Sequence, residues 1–147
     1  SSSAIRSSLA KGDVECANSL LGRPYSISGT ITHGKQLGRT IGFPTANVEA
    51  FDPRQAMPGN GVYALDVILP DDSTHRAMAN IGHRPTVDRQ PDAQTTVEVN
   101  IFDFDGDLYG QPLTLLFLKR LRSEQRFDSL ESLRSRLEED RRMAMAL

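Results

Sequence analysis

The sequence predicts a mainly β protein: a closed or nearly closed antiparallel barrel of about six short strands, followed by one long C-terminal helix. Three observations predict it. From Tyr25 onward, apolar residues recur at every second position. Turn chemistry interrupts the pattern at Pro58-Gly59-Asn60-Gly61, Pro70-Asp71-Asp72 and Asp105-Gly106. A sustained helical period begins only after Phe127. Short antiparallel strands punctuated this way hide their edges best by closing on themselves.

Taken in order, Ser1 to Gly22 reads as short helical segments. Ile5 and Leu9 fall four apart, Gly12 is a stop, Asp13 is positioned to cap a second piece, and Gly22 ends it. In the first strand Tyr25, Ile27, Gly29 and Ile31 alternate with Ser26, Ser28, Thr30 and Thr32. Further strands are predicted near Ala46–Val48, Gly61–Leu69, His75–Ile81, Thr96–Phe104 and Pro112–Leu121. The final helix spans Phe127 to Leu147, with Asp128 and Glu131 spaced as a capping box. Leu130, Leu133, Leu137 and Ala144 form its apolar stripe, and Glu138 to Arg142 read as a solvated face.

The 147 residues suit one core. A net charge of −2 argues against a nucleic-acid binder with a broad basic face, and no apolar run is long enough to span a membrane. Cys16 is the single cysteine, which fits a reducing compartment, so the expected location is the cytoplasm.

The chemistry concentrates in Gly34 to Asn47, GKQLGRTIGFPTAN. Gly34, Gly38 and Gly42 let backbone approach a phosphate chain, and Lys35 and Arg39 add charge-assisted bonds to the same oxygens. Thr45 and Asn47 offer neutral oxygens two residues apart, on one side of an extended chain; a threonine hydroxyl beside phosphates is a natural Mg²⁺ ligand. This is not a Walker loop, since Arg39 follows Gly38 and Pro44 blocks helix entry. On spacing alone, three glycines near a proline more often make turns than cradle a nucleotide.

Three ordered blocks carry a resemblance. GRTIGFPTANVEA with the preceding LLGRPYSISGTITHGKQ, then TVEVNIFDFDGDLYG, then LRSEQRFDSLESLRSRLEED resemble the riboflavin kinase family, in the form that makes up the C-terminal half of bacterial FAD synthetases. The match covers nearly everything from Leu20. It implies a six-stranded Greek-key barrel for residues 23–147. The opening SSSAIR is similar to the tail of the adenylyltransferase half of those enzymes, which implies that residues 1–22 are a helical linker or remnant of such a domain; from the residues alone, an ordinary N-terminal helix with serine caps explains the segment as well.

The resemblance also implies a reaction: transfer of the γ-phosphate of ATP to the 5′-hydroxyl of riboflavin, giving FMN, with Mg²⁺. It assigns Glu98 as general base. By pattern, Val97, Val99 and Ile101 face one way and Glu98, Asn100 and Phe102 the other, so Glu98 is either on a solvated face or a functional acid. The family's motif places a glutamate here; Asn100 departs from its usual histidine. Thr45 and Asn47 would hold the metal, with Asn47 also in a catalytic role. Gly34, Lys35, Gly38 and Arg39 would contact ATP, as part of a flap that orders over the nucleotide. Arg122, Glu124, Arg126 and Phe127 resemble the family's flavin-side loop, although Phe127 also suits a hydrophobic staple and the charges a rim.

Other signals are set aside. Asp103-Phe-Asp105-Gly-Asp107 lacks the glycine position and distal glutamate of a calcium loop. His33, His75 and His83 lack helical metal-ligand spacing. Two rival readings are a flavin-binding barrel without kinase activity, which needs neither a magnesium ligand nor a base, and a small barrel adaptor. An adaptor for single strands would want aromatics and cations together on one sheet face, and these are scattered.

Overall fold

The computed structural model describes residues 2–33, 41–84 and 94–147. Two helices open it, α1 (Ser2–Ala10) and α2 (Val14–Leu21). Gly12 turns the chain between them at φ 79°, where a Cβ would stand 2.7 Å from the Tyr63 hydroxyl, so conformation and space both require glycine. Asp13 caps α2 by accepting from the Cys16 N–H at 3.0 Å, and Gly22 ends it in the left-handed conformation. Leu9, Val14 and Ala17 are buried in the same core as the barrel interior.

Six strands follow: β1 (Tyr25–Thr32), β2 (Ala46–Ala50), β3 (Gly61–Ile68), β4 (Thr74–Arg84), β5 (Gln94–Ile101) and β6 (Pro112–Arg122). They close antiparallel in the order β1-β2-β5-β4-β3-β6. β3, β4 and β5 form a meander and β6 returns beside β3, which is a Greek key. The alternation read in the sequence sorts side chains as expected. Ile27, Leu65, Ile81, Val99 and Phe117 point into the barrel, each burial stabilising by about 1.5–3 kcal/mol.

The seams are unequal. β4 pairs at eight positions with each of its neighbours, β3 and β5. β2 registers on β5 at two, Ala46↔Val99 and Asn47↔Glu98.

α3 (Leu130–Met145) covers the outside of the barrel, where Ala144 and Leu137 meet Ala64, Met78, Phe102 and Phe43. Its cap is Ser129 rather than Asp128: Ser129 is the last extended residue, and its hydroxyl accepts from the Ser132 N–H at 3.1 Å. Leu130 lies exposed outside the stripe. Asp140, expected on the solvated face, is completely buried. It occupies the apolar register, three residues after Leu137 and four before Ala144, and accepts from Arg122 Nε and Nη2 at 2.8–3.0 Å. This pair ties the helix to the end of β6.

Candidate active site

One row of side chains on the outer barrel face brings the candidate residues together. Inward-facing Val48, Val97, Val99, Ala79 and Ile81 force their neighbours outward. Asn47 on β2 stands opposite Glu98 on β5, and Glu98 stands opposite Asn80 on β4. Directly paired residues of antiparallel strands hold their Cβ atoms about 4.5–5.5 Å apart, so Asn47, Glu98 and Asn80 are successive neighbours. Val62 on β3 and Arg122 on β6 continue the same row.

Each end of the row has its own chemistry. At the β2 end, Asn47 Oδ1 is buried without a hydrogen-bond partner, while Nδ2 donates to the His33 carbonyl at 3.4 Å. An orphaned buried acceptor is costly unless something arrives to use it. Thr45 precedes it by two residues. A side-chain hydrogen bond from Asn100 Nδ2 to the Pro44 carbonyl, 2.6 Å long, holds the intervening backbone against β5. At the other end, the β6–α3 connection lays Glu124 over the barrel. Its Oε2 accepts from Asn80 Nδ2 at 3.1 Å, and a Cβ on Gly82 would come within 2.8 Å of the same oxygen.

Two hollows flank the short β2–β5 seam. The first, about 510 Å³, opens at the barrel end, with Thr45 and His33 on its rim and Ile101, Phe104, Leu108 and Tyr109 in its walls. The His33 and Tyr109 rings stack there at 3.8 Å, tilted by 10°. The second, about 650 Å³, includes Asn47, Thr96 and His83. Both are of a size that accepts small molecules.

The oxygens present suit a hard divalent cation. Thr45 and Asn47 supply neutral donors, and the described residues hold no group of three His, Cys, Asp or Glu that would make an all-protein cage. Such a site would leave most of a divalent ion's shell to donors from outside the protein.

A family model described as riboflavin kinase (flavokinase) matches residues 21–147. The chain belongs to the riboflavin kinase family. It is 42% identical over 145 residues to the bifunctional riboflavin kinase/FMN adenylyltransferase of Bacillus subtilis, covering 99% of this chain and 45% of that protein. The Escherichia coli K12 protein of the same description is 44% identical over 140 residues, 95% of this chain and 43% of that one. The chain thus spans about half the length of the curated relatives it matches. Among solved structures, a Streptococcus pneumoniae protein named as a macrolide-efflux protein superposes with a TM-score of 0.93 at 39% identity, over all of this chain and 47% of its own. That name concerns that protein; among the described residues here, no helix is long and apolar enough to cross a membrane. The riboflavin kinase of Trypanosoma brucei shares the fold at a TM-score of 0.56 and 24% identity, over 84% of this chain and 79% of that one.

Within this riboflavin kinase family member, the residues singled out from sequence fall into four groups. Asn47 and Glu98 meet at the β2–β5 seam and Glu124 joins them through Asn80, whereas Thr45, two residues ahead of Asn47, lines the hollow at the barrel end and Asn47 the other one. Arg122 directs its guanidinium to Asp140 and the Ser123 carbonyl and lies over the Phe127 ring at 5.8 Å, so these two residues brace the helix connection. Arg126 is exposed on that connection. Gly34, Lys35, Gly38 and Arg39 lie outside the described residues. Sequence reasoning gave no role to Asn80 or to the ring wall of His33, Phe104 and Tyr109. Only the closure of the barrel brings the ring wall together, whereas Asn80 sits in a strand whose outward positions were readable.

Proposed function

We propose that this domain is a riboflavin kinase that transfers the γ-phosphoryl group of ATP to the 5′-hydroxyl of riboflavin. The observation that carries the reading is the Asn47↔Glu98 register: an orphaned hard acceptor and a carboxylate paired across one seam. The hollow beside Thr45, with Ile101, Phe104, Leu108 and Tyr109 in its walls, would take the nucleotide base, and Thr45 together with Asn47, which lines the hollow on the other side of the seam, would take the phosphate end. Gly34, Lys35, Gly38 and Arg39 would add backbone and cationic contacts to the same phosphates, on the strength of their sequence alone. Bound Mg²⁺ would neutralise charge on the phosphoryl oxygens, which matters because the transition state is loose and charge-dispersed. Glu98 would orient the alcohol and accept its proton as the phosphorus–oxygen bond forms and ADP departs. Glu124 and Asn80 would meet the flavin side, with Arg126 and Phe127 at its edge.

Residues 1–22 would connect, in a longer parent protein, to an adenylyltransferase domain that converts FMN to FAD, as the two activities named for the bacterial relatives suggest. Incubation with riboflavin, ATP and Mg²⁺ followed by flavin chromatography tests the kinase reading. FMN, formed in step with ADP, is expected. Riboflavin bound tightly but returned unchanged would identify a flavin-binding barrel instead.

A further inference from the structure

The described residues bury two polar or charged side chains, Asp140 and Asn100. Asp140 is answered by Arg122. Asn100 is answered by backbone: at 6% exposure its Nδ2 donates to the Pro44 carbonyl at 2.6 Å. Pro44 has no N–H and residues 43–45 lie ahead of β2, so the chain there lacks strand pairing of its own. The Pro44 oxygen and the Thr45 nitrogen belong to one planar peptide unit, so fixing the oxygen fixes the unit from which Thr45 projects. The ladder between β2 and β5 stops at Ala46↔Val99, and the Asn100 amide takes over where the next rung would stand.

We propose that Asn100 is a positioning residue for phosphoryl transfer, acting as a strut that sets Thr45 against Glu98. This deepens, and rests on, the kinase reading above. The chemistry of the position is restrictive. Leucine would fill the space and leave the carbonyl orphaned. Aspartate would oppose a carboxylate to a carbonyl, with no donor between them. Histidine can present one N–H to the same oxygen, which makes it the conservative replacement.

The test uses Asn100→Leu, Asn100→Asp and Asn100→His, each assayed below its own melting temperature. Loss of one neutral hydrogen bond that orients a nucleotide ligand should raise the KM for Mg-ATP about tenfold in Asn100→Leu, with the KM for riboflavin within about twofold of the parent. Asn100→Asp should be at least as impaired, and Asn100→His should recover most of the affinity. Amide exchange of residues 43–48, without nucleotide, should accelerate in the leucine variant and return with histidine. A purely structural role would lower the melting temperature and leave the KM values and their ratio unmoved, which overturns the proposal. So would unchanged exchange at 43–48. FMN synthesis absent from the parent protein would remove the kinase reading, and the exchange measurement would then judge the strut by itself.

Discussion

Removing Asp140 should be the most damaging single change away from the chemistry. Its carboxylate is fully buried and takes two oxygens' worth of bonds from Arg122, whose side chain is 10% exposed, while Arg136 Nε approaches at 3.5 Å. Asp140→Ala would leave the Arg122 guanidinium buried without its counter-charge. Breaking a buried pair by deleting one partner costs about 3–5 kcal/mol, because the remaining ion is desolvated and unpaired. For a chain of this size each kcal/mol moves the melting temperature by about 3 °C, so a fall of about 10–15 °C is expected. Urea denaturation of Asp140→Ala, Arg122→Met and the double variant, followed as a cycle, isolates the pair. The double variant should recover part of the loss, since neither charge is then left alone. Asp140→Ala costing under about 1 kcal/mol would show that water reaches the pair and refute the reasoning. Because the pair anchors the segment that delivers Glu124, the variant should also bind riboflavin less tightly, measured by flavin fluorescence.

Four further outcomes follow from the same geometry. Glu98→Gln should lower turnover by about 10²–10⁴-fold with modest loss of ATP affinity; near-normal FMN formation would take Glu98 out of the role of base. Thr45→Ala should weaken Mg-ATP binding and shift the magnesium dependence of the rate, and an unchanged magnesium titration would contradict the ligand assignment. Gly82→Ala would push Glu124 off Asn80, where the new Cβ falls 2.8 Å from its oxygen; riboflavin KM should rise while stability changes little, since the obstructing atom ends a flexible side chain. Burial raises the Tyr63 phenol above its ordinary pKa, against the opposing pull of Arg120. The folded state therefore holds that proton more tightly than the unfolded chain, and its contribution is intact below about pH 10 and lost as pH climbs through the folded value. Tyr63→Phe should flatten the alkaline limb of a stability-versus-pH curve, at the loss of the bond to the Gly59 carbonyl.

How much was legible depends on the range over which each signal acts. The period of two in Tyr25–Thr32 is local, and it gave the strand and its buried face together. Gly12, Asp13 and Gly22 act within a turn of themselves, and all three hold the stations read for them. Glu98 could be placed on the outward face by parity alone, but parity says nothing about which strand lies beside it. The register to Asn47 comes from closure of the barrel. Asp140 was misplaced because charge was weighed above register: it lies on the same stripe as Leu137 and Ala144, and only a partner as distant in sequence as Arg122 makes that position tolerable for an acid. The helix cap slipped by one residue because Asp128 and Ser129 are both good caps, and local pattern cannot choose between them.

The narrow joint between β2 and β5 has a mechanical corollary. A closed sheet yields first where its rungs are fewest, and here that place holds the residues assigned to the reaction. Small excursions of Thr45 and Asn47 relative to Glu98 are therefore cheap compared with any movement of the long β3–β4–β5 wall. In the proposed kinase reaction, which admits a triphosphate and a flavin and then releases both products, the give would lie at the point of reaction. Stapling that joint with extra rungs should yield a sturdier protein that turns over more slowly.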